Sequence, residues 1–194
     1  MSLGGILQNL RKTHVLVVHP NEPDGADLVR QIKRIGCQVE TVWPPPAVLP
    51  ACDAVFFLIG GDSPDISWLG SQVDAALIAI LDSENPTLLK ALLDSNAHGV
   101  LIRPLRAAGI LSSLVLALSL RGYEQRLIGK VSKIEENLKS RREIERATRI
   151  LMETRKVSEG DAYQFIRKQA TAKRVSIAVI AASVINAHEL LGDL

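Results

Sequence analysis

Cysteine and histidine are scarce in this 194-residue chain, and their spacing excludes two classes of site. Cys37 and Cys52 lie in apolar surroundings without a Cys-x-x-Cys spacing, so we expect two reduced core thiols rather than a disulfide or a zinc site. The histidines are too dispersed along the chain for metal ligation. They are His14, His19, His98 and His188. We therefore expect no bound metal.

Long apolar runs and catalytic signatures are also missing. The longest apolar runs, residues 54–59 and 109–118, are too short to span a bilayer, and the N-terminal residues lack the pattern of a secretory signal. The sequence has no G-x-G-x-x-G loop, no Walker lysine and no recognisable pair of nucleophile and base. The expected protein is cytoplasmic, has no membrane segment, needs no cofactor and is not an enzyme.

Positive charge is present, but it is concentrated in one part of the chain. The total formal charge is only +2, whereas residues 139–174 contain eleven Lys and Arg against five Asp and Glu. Residues 1–120 are slightly acidic by comparison. A basic C-terminal region of this kind indicates a polyanionic partner, and RNA or DNA is the first candidate.

Five short apolar runs in the N-terminal half predict an α/β fold. Such runs are typical of strands buried on both faces of a parallel sheet. They span residues 13–18, 39–43, 54–59, 75–81 and 100–102. We expect a helix after each strand, so that right-handed crossovers give a doubly wound, five-stranded parallel sheet.

Residues that begin or end the first helices and strands support this interpretation. Asp24 or Asp27 is expected to cap the first helix, and Gly36 to close it in a left-handed conformation. Residues 44–46 are three consecutive prolines, which end the second strand because proline cannot donate a hydrogen bond to a ladder. A further helix is predicted from Pro86 to about residue 96.

Residues 12–120 resemble the receiver domain of bacterial response regulators in the order of their elements. The residues that carry receiver phosphorylation are replaced: His19 stands at the acidic pair and Leu58 at the phosphoacceptor position. Leu81 stands near the expected Thr or Ser, and Arg103 replaces the lysine. Aspartyl phosphorylation needs carboxylates for Mg²⁺ and a carboxylate nucleophile, so the resemblance implies a pseudo-receiver that is not phosphorylated.

Three acidic residues near strand ends could form a displaced acidic pocket: Asp62, Asp82 and Glu84. The sequence favours solvated loop carboxylates, because acids are common in such loops. The Gly60-Gly61 pair is better explained by a tight loop than by a phosphate cradle.

A heptad pattern follows the receiver-like region and predicts a helical stem over residues 121–140. Apolar residues recur with spacings of seven, four, three and four. They are Leu120, Leu127, Val131, Ile134 and Leu138. The pattern favours a coiled-coil dimer, and the alternative is a single helix packed along its own receiver domain. At Arg141-Arg142 the apolar stripe lapses and then resumes in a shifted phase, where a differently packed module should begin.

Residues 141–192 predict a small all-α domain of three helices. Ser158 can cap the second helix with Asp161 at its third position, and Ser176 can cap the third. Apolar residues at helical spacing fill one face of each helix, which leaves the basic residues exposed. The predicted RNA-binding residues are Arg142, Arg146, Arg149, Arg155, Lys156, Arg167, Lys168, Lys173 and Arg174. Phe165 fits the buried period, whereas the role of Tyr163 stays open.

The apolar pattern of this module is specific. It reads Ile144-x-x-Ala147-x-x-Ile150-Leu151-Met152, then Ser158-x-x-x-Ala162-x-x-x-Ile166-Arg167-x-x-Ala170, then Ile180-Ala181 and Val184-Ile185. It resembles the ANTAR domain of transcription antitermination regulators. Segments upstream resemble regulators of the AmiR type, namely Arg34-Ile35-Gly36-Cys37, Trp43-Pro44-Pro45-Pro46 and His98-Gly99-Val100.

The resemblance implies a dimer that binds paired stem-loops in a leader mRNA and prevents terminator formation. It also implies control by a ligand-sensing partner protein that sequesters the regulator. Thr148 departs from the lysine that many ANTAR domains have at this position, and Arg149 is a candidate replacement. A DNA-binding transcription factor on the same scaffold is the alternative, and a scaffold that binds an acidic protein is a third class.

Overall fold

A five-stranded parallel sheet forms the N-terminal part of the protein. The structure is a computed structural model and describes residues 10–61, 65–69 and 73–192. The strands are β1 (His14–Val18), β2 (Gln38–Val42), β3 (Ala54–Ile59), β4 (Ala76–Leu81) and β5 (Gly99–Ile102). Their order in the sheet is β2-β1-β3-β4-β5 and all neighbouring pairs are parallel, which confirms the predicted doubly wound fold.

The helices are α1 (Pro23–Ile35), α2 (Pro86–Asp94), α3 (Ala107–Arg155), α4 (Glu159–Lys173) and α5 (Ile177–Gly192). Two short 3₁₀ helices lie at Leu10–Lys12 and Ser67–Leu69. Within the described residues no single helix is long and apolar enough to cross a membrane, and α4 with α5 meets that criterion only as a pair bent by 113°.

Side chains of the central strands alternate between two cores, one on each face of the sheet. Phe56 packs with α1 and the first turns of α3, whereas Phe57 packs with α2 and the 3₁₀ helix at Ser67–Leu69. Both phenylalanines have no exposed surface. Truncating either to alanine should cost about 3–5 kcal/mol, because each fills a closed core. Two-sided burial explains why the strands are continuously apolar in sequence.

The β2–β3 connection differs from a strict alternation of strand and helix. Residues 43–53 link β2 to β3 through bends without a helix, because Pro44, Pro45, Pro46 and Pro50 cannot donate the hydrogen bonds of a helix interior. The described part of the β3–β4 connection contains only the short 3₁₀ helix. The expected five full repeats are therefore wrong at the β2–β3 connection.

The predicted cap of α1 is also wrong. Glu22 is the N-cap and Pro23 the first helical residue, so Asp24 lies in the first turn and Asp27 further inside. Proline is suited to that first position because its N–H would have no helical partner there. Gly36 does close the helix, with a φ of 106° that a residue with a Cβ adopts only under strain.

The long helix α3 contributes residues to both compact units of the chain, which are Met1–Arg126 and Leu127–Leu194. Its first residues are irregular: Gly109 has a φ of 103°, in the left-handed region that favours glycine. Ile110, Leu114 and Ala117 then pack against the sheet. The seam residues further along are exposed in the single chain.

The C-terminal unit packs the end of α3 with α4 and α5. Ala147, Ala162 and Ala181 have almost no exposed surface, and these small residues let the three helices approach closely. The Oγ of Ser158 accepts a hydrogen bond from the Asp161 N–H at 3.2 Å, and that of Ser176 accepts one from the Val179 N–H at 3.3 Å. Both predicted caps are therefore confirmed.

Candidate nucleic-acid interface and the receiver-like cleft

The carboxyl ends of the strands meet at a cleft in which one arginine holds three carboxylates. In sheets of this order, ligands bind beyond the carboxyl ends beside the strand order reversal at β1 and β3. Arg103, just after β5, places Nη2 2.5 Å from a Glu22 oxygen, Nε 3.1 Å from Asp24 and Nη1 2.8 Å from Asp82. Its guanidinium therefore lies where a receiver would gather carboxylates around a cation.

Neighbouring residues shape the cleft around this cluster. His19 is buried; its Nδ1 lies 2.8 Å from the Pro20 carbonyl and its Nε2 lies 3.3 Å from Nη2 of Arg103. The neutral tautomer with the proton on Nδ1 satisfies both contacts, because Nε2 then accepts from the guanidinium. A Cβ at position 60 would collide with the Asp82 carboxylate, so a larger residue than Gly60 would have to displace Asp82 from its present position.

The electrostatics favour a permanent ion cluster. Burial alone lowers the pKa of Arg103, but hydrogen bonds and charge attraction from Glu22 and Asp82 outweigh it and raise the pKa above its ordinary value. Asp82 pairs with Arg103, but it is exposed to solvent like Glu84, as the sequence favoured. Asp62 lies outside the described residues.

Leu58 lines the same cleft of about 510 Å³ as Arg103 and Asp82. It is partly buried in β3, beside Ile80 of β4. A leucine at this position offers no oxygen nucleophile and no metal ligand. Within the part of the chain that the structure describes, no group of three or more His, Cys, Asp or Glu is arranged to hold a metal ion.

A second ion network, which no sequence pattern predicted, lies where α3 leaves the sheet. Arg121 donates to Glu124 at 2.7 Å and to Asp74 at 2.9 Å, and Nε2 of His98 lies 3.3 Å from Glu124. Nδ1 of His98 accepts the Leu77 backbone N–H at 3.0 Å. Arg121 and His98 lower the pKa of Glu124. Arg121 and Asp74 are 47 residues apart in the sequence, and Gln125, which also donates to Asp74, is 51 residues from it. No local sequence pattern could therefore predict this network.

The five seam residues of the predicted stem share one property: each is between 42% and 57% exposed in the single chain. They are Leu120, Leu127, Val131, Ile134 and Leu138. A row of half-exposed aliphatic residues on a continuous helix is apolar surface that lacks a partner within the described chain.

The predicted RNA-binding residues differ in how free they are to bind a ligand. Arg146 donates to Glu189 at 2.7 Å, and the Arg155 guanidinium lies 4.2 Å from the centre of the Phe165 ring. Arg174 adopts a left-handed conformation that closes α4. The others make no ion pair with any described residue, and they are Arg142, Arg149, Lys156, Arg167, Lys168 and Lys173.

Thr148 is buried in the three-helix module, whereas the charged end of a lysine at this position would have to reach solvent. Thr148 is 6% exposed, and its hydroxyl donates to the Ile144 carbonyl at 2.8 Å. Arg149, the next residue, is exposed. The basic group nearest to this point of the helix is therefore Arg149.

The doubly wound sheet and the position of its cleft define the N-terminal part as a receiver fold. The response regulator StyR has a similar fold, with a TM-score of 0.56 and 12% identity over 90% of this chain and 98% of that one. A two-component system response regulator/GGDEF domain protein gives a TM-score of 0.53 at 19% identity, covering 62% of this chain and 54% of the other.

Sequence comparison identifies the family. Residues 13–118 match the family described as AmiR, N-terminal, and residues 132–185 match the ANTAR domain. The aliphatic amidase regulator of Pseudomonas aeruginosa is 31% identical over all of this chain and 98% of its own length. The transcriptional regulatory protein PdtaR of Mycobacterium tuberculosis is 24% identical over 61% of this chain and 58% of its own. The chain belongs to the ANTAR-domain antitermination regulators of the AmiR type, which are regulatory proteins and not an enzyme family.

Proposed function

We propose that this protein binds stem-loops in a leader mRNA as a dimer, prevents transcription termination and has no catalytic activity. The observation that carries the proposal is the surface of the ANTAR module, where eight of the nine predicted basic residues, all but Arg146, make no ion pair with a described residue. Unpaired Arg and Lys can neutralise phosphates, and Arg can also stack on or hydrogen-bond unpaired bases.

Dimerisation through α3 is supported by the chemistry beside its seam. Val131 and Leu138 fit one core position of a heptad and Leu127 and Ile134 the other. A parallel, in-register pair of helices would then bring Lys130 of one copy next to Glu135 of the second, as flanking heptad positions require. Two modules held together would bind paired stem-loops with greater avidity than one.

Control without phosphorylation is supported by the cleft, whereas control by a protein partner is proposed because the chain belongs to the AmiR type. Leu58 provides no phosphoacceptor, and Arg103 already neutralises part of the charge of Glu22, Asp24 and Asp82. A small-molecule phosphodonor should therefore leave the protein at its unmodified mass. A stable aspartyl phosphate detected by mass spectrometry would contradict this part of the proposal.

A competition experiment tests the choice of nucleic acid. Labelled RNA stem-loops with a fixed stem and a randomised loop are bound to the full chain, and unlabelled stem-loop RNA or duplex DNA of equal length is added. Stem-loop RNA should compete at much lower concentration. Stronger competition by duplex DNA would favour the DNA-binding alternative, and absence of any nucleic-acid binding would leave only a protein-binding function.

The Arg149→Ala variant adds a test at the residue level. Losing one phosphate contact should weaken RNA binding and reduce the dependence of affinity on salt by about one counterion. Arg146→Ala should have a smaller effect, because Arg146 must first leave Glu189. Equal affinity of Arg149→Ala and the unaltered protein would remove Arg149 from the interface.

A further inference from the structure

A groove of about 980 Å³ lies between α3 and the start of α4, entirely within the C-terminal unit. Ile144, Met152 and Tyr163 provide apolar surface along it. Tyr163 is 39% exposed, so one part of its ring packs on the module while the rest faces the groove. Its hydroxyl makes no hydrogen bond with the described residues, which is typical of an aromatic side chain that is available to a ligand.

One row of α4 places two chemical groups in this groove, Glu159 and Tyr163, and a third, Arg167, one turn beyond the groove lining. Glu159, Tyr163 and Arg167 follow each other at spacings of four, so their side chains lie along the same face of α4. Glu159 and Arg167 are exposed and make no ion pair in the described structure. The row therefore offers a hydrogen-bond acceptor, an aromatic surface and a cation in succession.

The opposite wall adds charge of both signs. Arg149 is free of ion pairs within the described chain, whereas Arg141 lies 3.3 Å from Glu145. A cleft for phosphate alone would not place carboxylates at its walls, because they repel an anion. Carboxylates do accept hydrogen bonds from the amino groups of bases, and a cation beside them can hold the phosphate of the same nucleotide.

We infer that the groove holds one unpaired base of the RNA loop, stacked on Tyr163, with an exocyclic amino group donating to Glu159 and the adjoining phosphates on Arg149 and Arg167. This inference rests on the proposed RNA-binding function and adds a base-specific subsite to it. It also names a preference: adenine, cytosine and guanine carry an exocyclic amino group and uracil does not.

The experiment uses the full chain and the tightest stem-loop recovered from the randomised-loop pool. Each loop position in turn is made abasic, and the position with the largest loss identifies the base to be tested. Tyr163→Leu should then weaken binding of the intact stem-loop roughly 5- to 100-fold, whereas Tyr163→Phe should retain it because the ring is kept. Gln164→Leu is the matched control, since Gln164 is exposed on the same helix but does not line the groove.

The abasic RNA separates stacking from folding. If Tyr163 stacks on the base, Tyr163→Leu should have no further effect once that base is removed. An equal loss on intact and abasic RNA would show a structural role for Tyr163 and overturn the inference, as would unchanged affinity of Tyr163→Leu for the intact stem-loop. A second readout is 2-aminopurine at the same position, whose fluorescence should be quenched by the unaltered protein and not by Tyr163→Leu.

Glu159→Gln tests the named preference. In the unaltered protein, uracil at the selected position should bind about fivefold or more weakly than the preferred base, and Glu159→Gln should reduce that difference. Equal binding of all four bases by the unaltered protein would overturn the role of Glu159. If the unaltered protein binds no stem-loop at all, the proposed function fails first, whereas binding that is indifferent to Tyr163 and Glu159 overturns only the subsite.

Discussion

Replacing Arg103 by alanine removes the cation that bridges Glu22, Asp24 and Asp82. The Arg103 side chain is 21% exposed, and the three carboxylates are between 34% and 47% exposed. The variant leaves these carboxylates close together without the guanidinium that pairs with all three and donates hydrogen bonds to Glu22 and Asp82. The N-terminal unit should therefore lose stability through both lost bonds and new repulsion between like charges.

The magnitude follows from the degree of burial. Removing one partner of a fully buried ion pair costs about 3–5 kcal/mol, whereas exposed pairs contribute about 0–1 kcal/mol. The Arg103 cluster lies between these limits, so we expect a loss of about 2–3 kcal/mol in the free energy of unfolding. Arg103→Lys should lose less stability than Arg103→Ala, because the ammonium keeps the positive charge. It should still be less stable than the unaltered protein, because one ammonium cannot reach three carboxylates as a planar guanidinium does.

Urea unfolding followed by tryptophan fluorescence reports on the N-terminal unit, because Trp43 and Trp68 both line the cleft. The midpoint should fall by about 1 M urea. Arg30→Ala is the matched control: Arg30 pairs with Asp27 at 2.9 Å, but the two side chains are 72% and 55% exposed, so its loss should stay below about 1 kcal/mol.

Salt provides an internal check on the cause. Sodium chloride should reduce the deficit of Arg103→Ala, because it screens repulsion among the remaining carboxylates. Equal midpoints for the Arg103 and Arg30 variants would refute the reasoning. A deficit that does not respond to salt would instead assign the loss to packing of the arginine side chain.

Three further predictions concern other parts of the molecule. Leu127→Lys should weaken the proposed dimer at least about tenfold in light scattering, because it places a charge in the apolar seam, whereas a lysine on the opposite helix face should not. Cys37 and Cys52 should react with iodoacetamide far more slowly in the native than in the unfolded protein, since burial raises both pKa values, that of Cys52 to about 11. Arg121 lowers the pKa of Glu124 below its ordinary value of 4.5, so the ionised carboxylate stabilises the fold above that pH and this stabilisation is lost as the pH falls through the lowered pKa. In thermal unfolding, Glu124→Gln should therefore reduce the loss of stability between pH 4.5 and more acidic pH.

The strands were predictable from sequence because two-sided burial leaves a local record. Phe56 and Phe57 enter different cores, yet both demand apolar residues, so the run over 54–59 reads as one strand. The absence of a helix between β2 and β3 was also predictable, because the connection contains four prolines. A helix was nevertheless expected there, because a regular alternation of strand and helix was assumed.

The contents of the cleft could not be predicted in the same way. The sequence indicated that Arg103 replaces a lysine, but Glu22 lies 81 residues away and Asp24 was expected to cap a helix. Only the sheet order brings the ends of β1, β4 and β5 together. Similarly, helical periodicity places Arg146 on an exposed face but gives no sign of its ion pair with Glu189.

The Arg103 cluster also limits what a single substitution can do in this cleft. An aspartate at position 58 would add a fourth carboxylate to a cleft whose three carboxylates already share one guanidinium. Leu58→Asp alone should therefore destabilise the fold, because like charges would gather around a guanidinium that is already paired. The effects of changes at positions 58 and 103 should be non-additive, so that the two positions are energetically coupled.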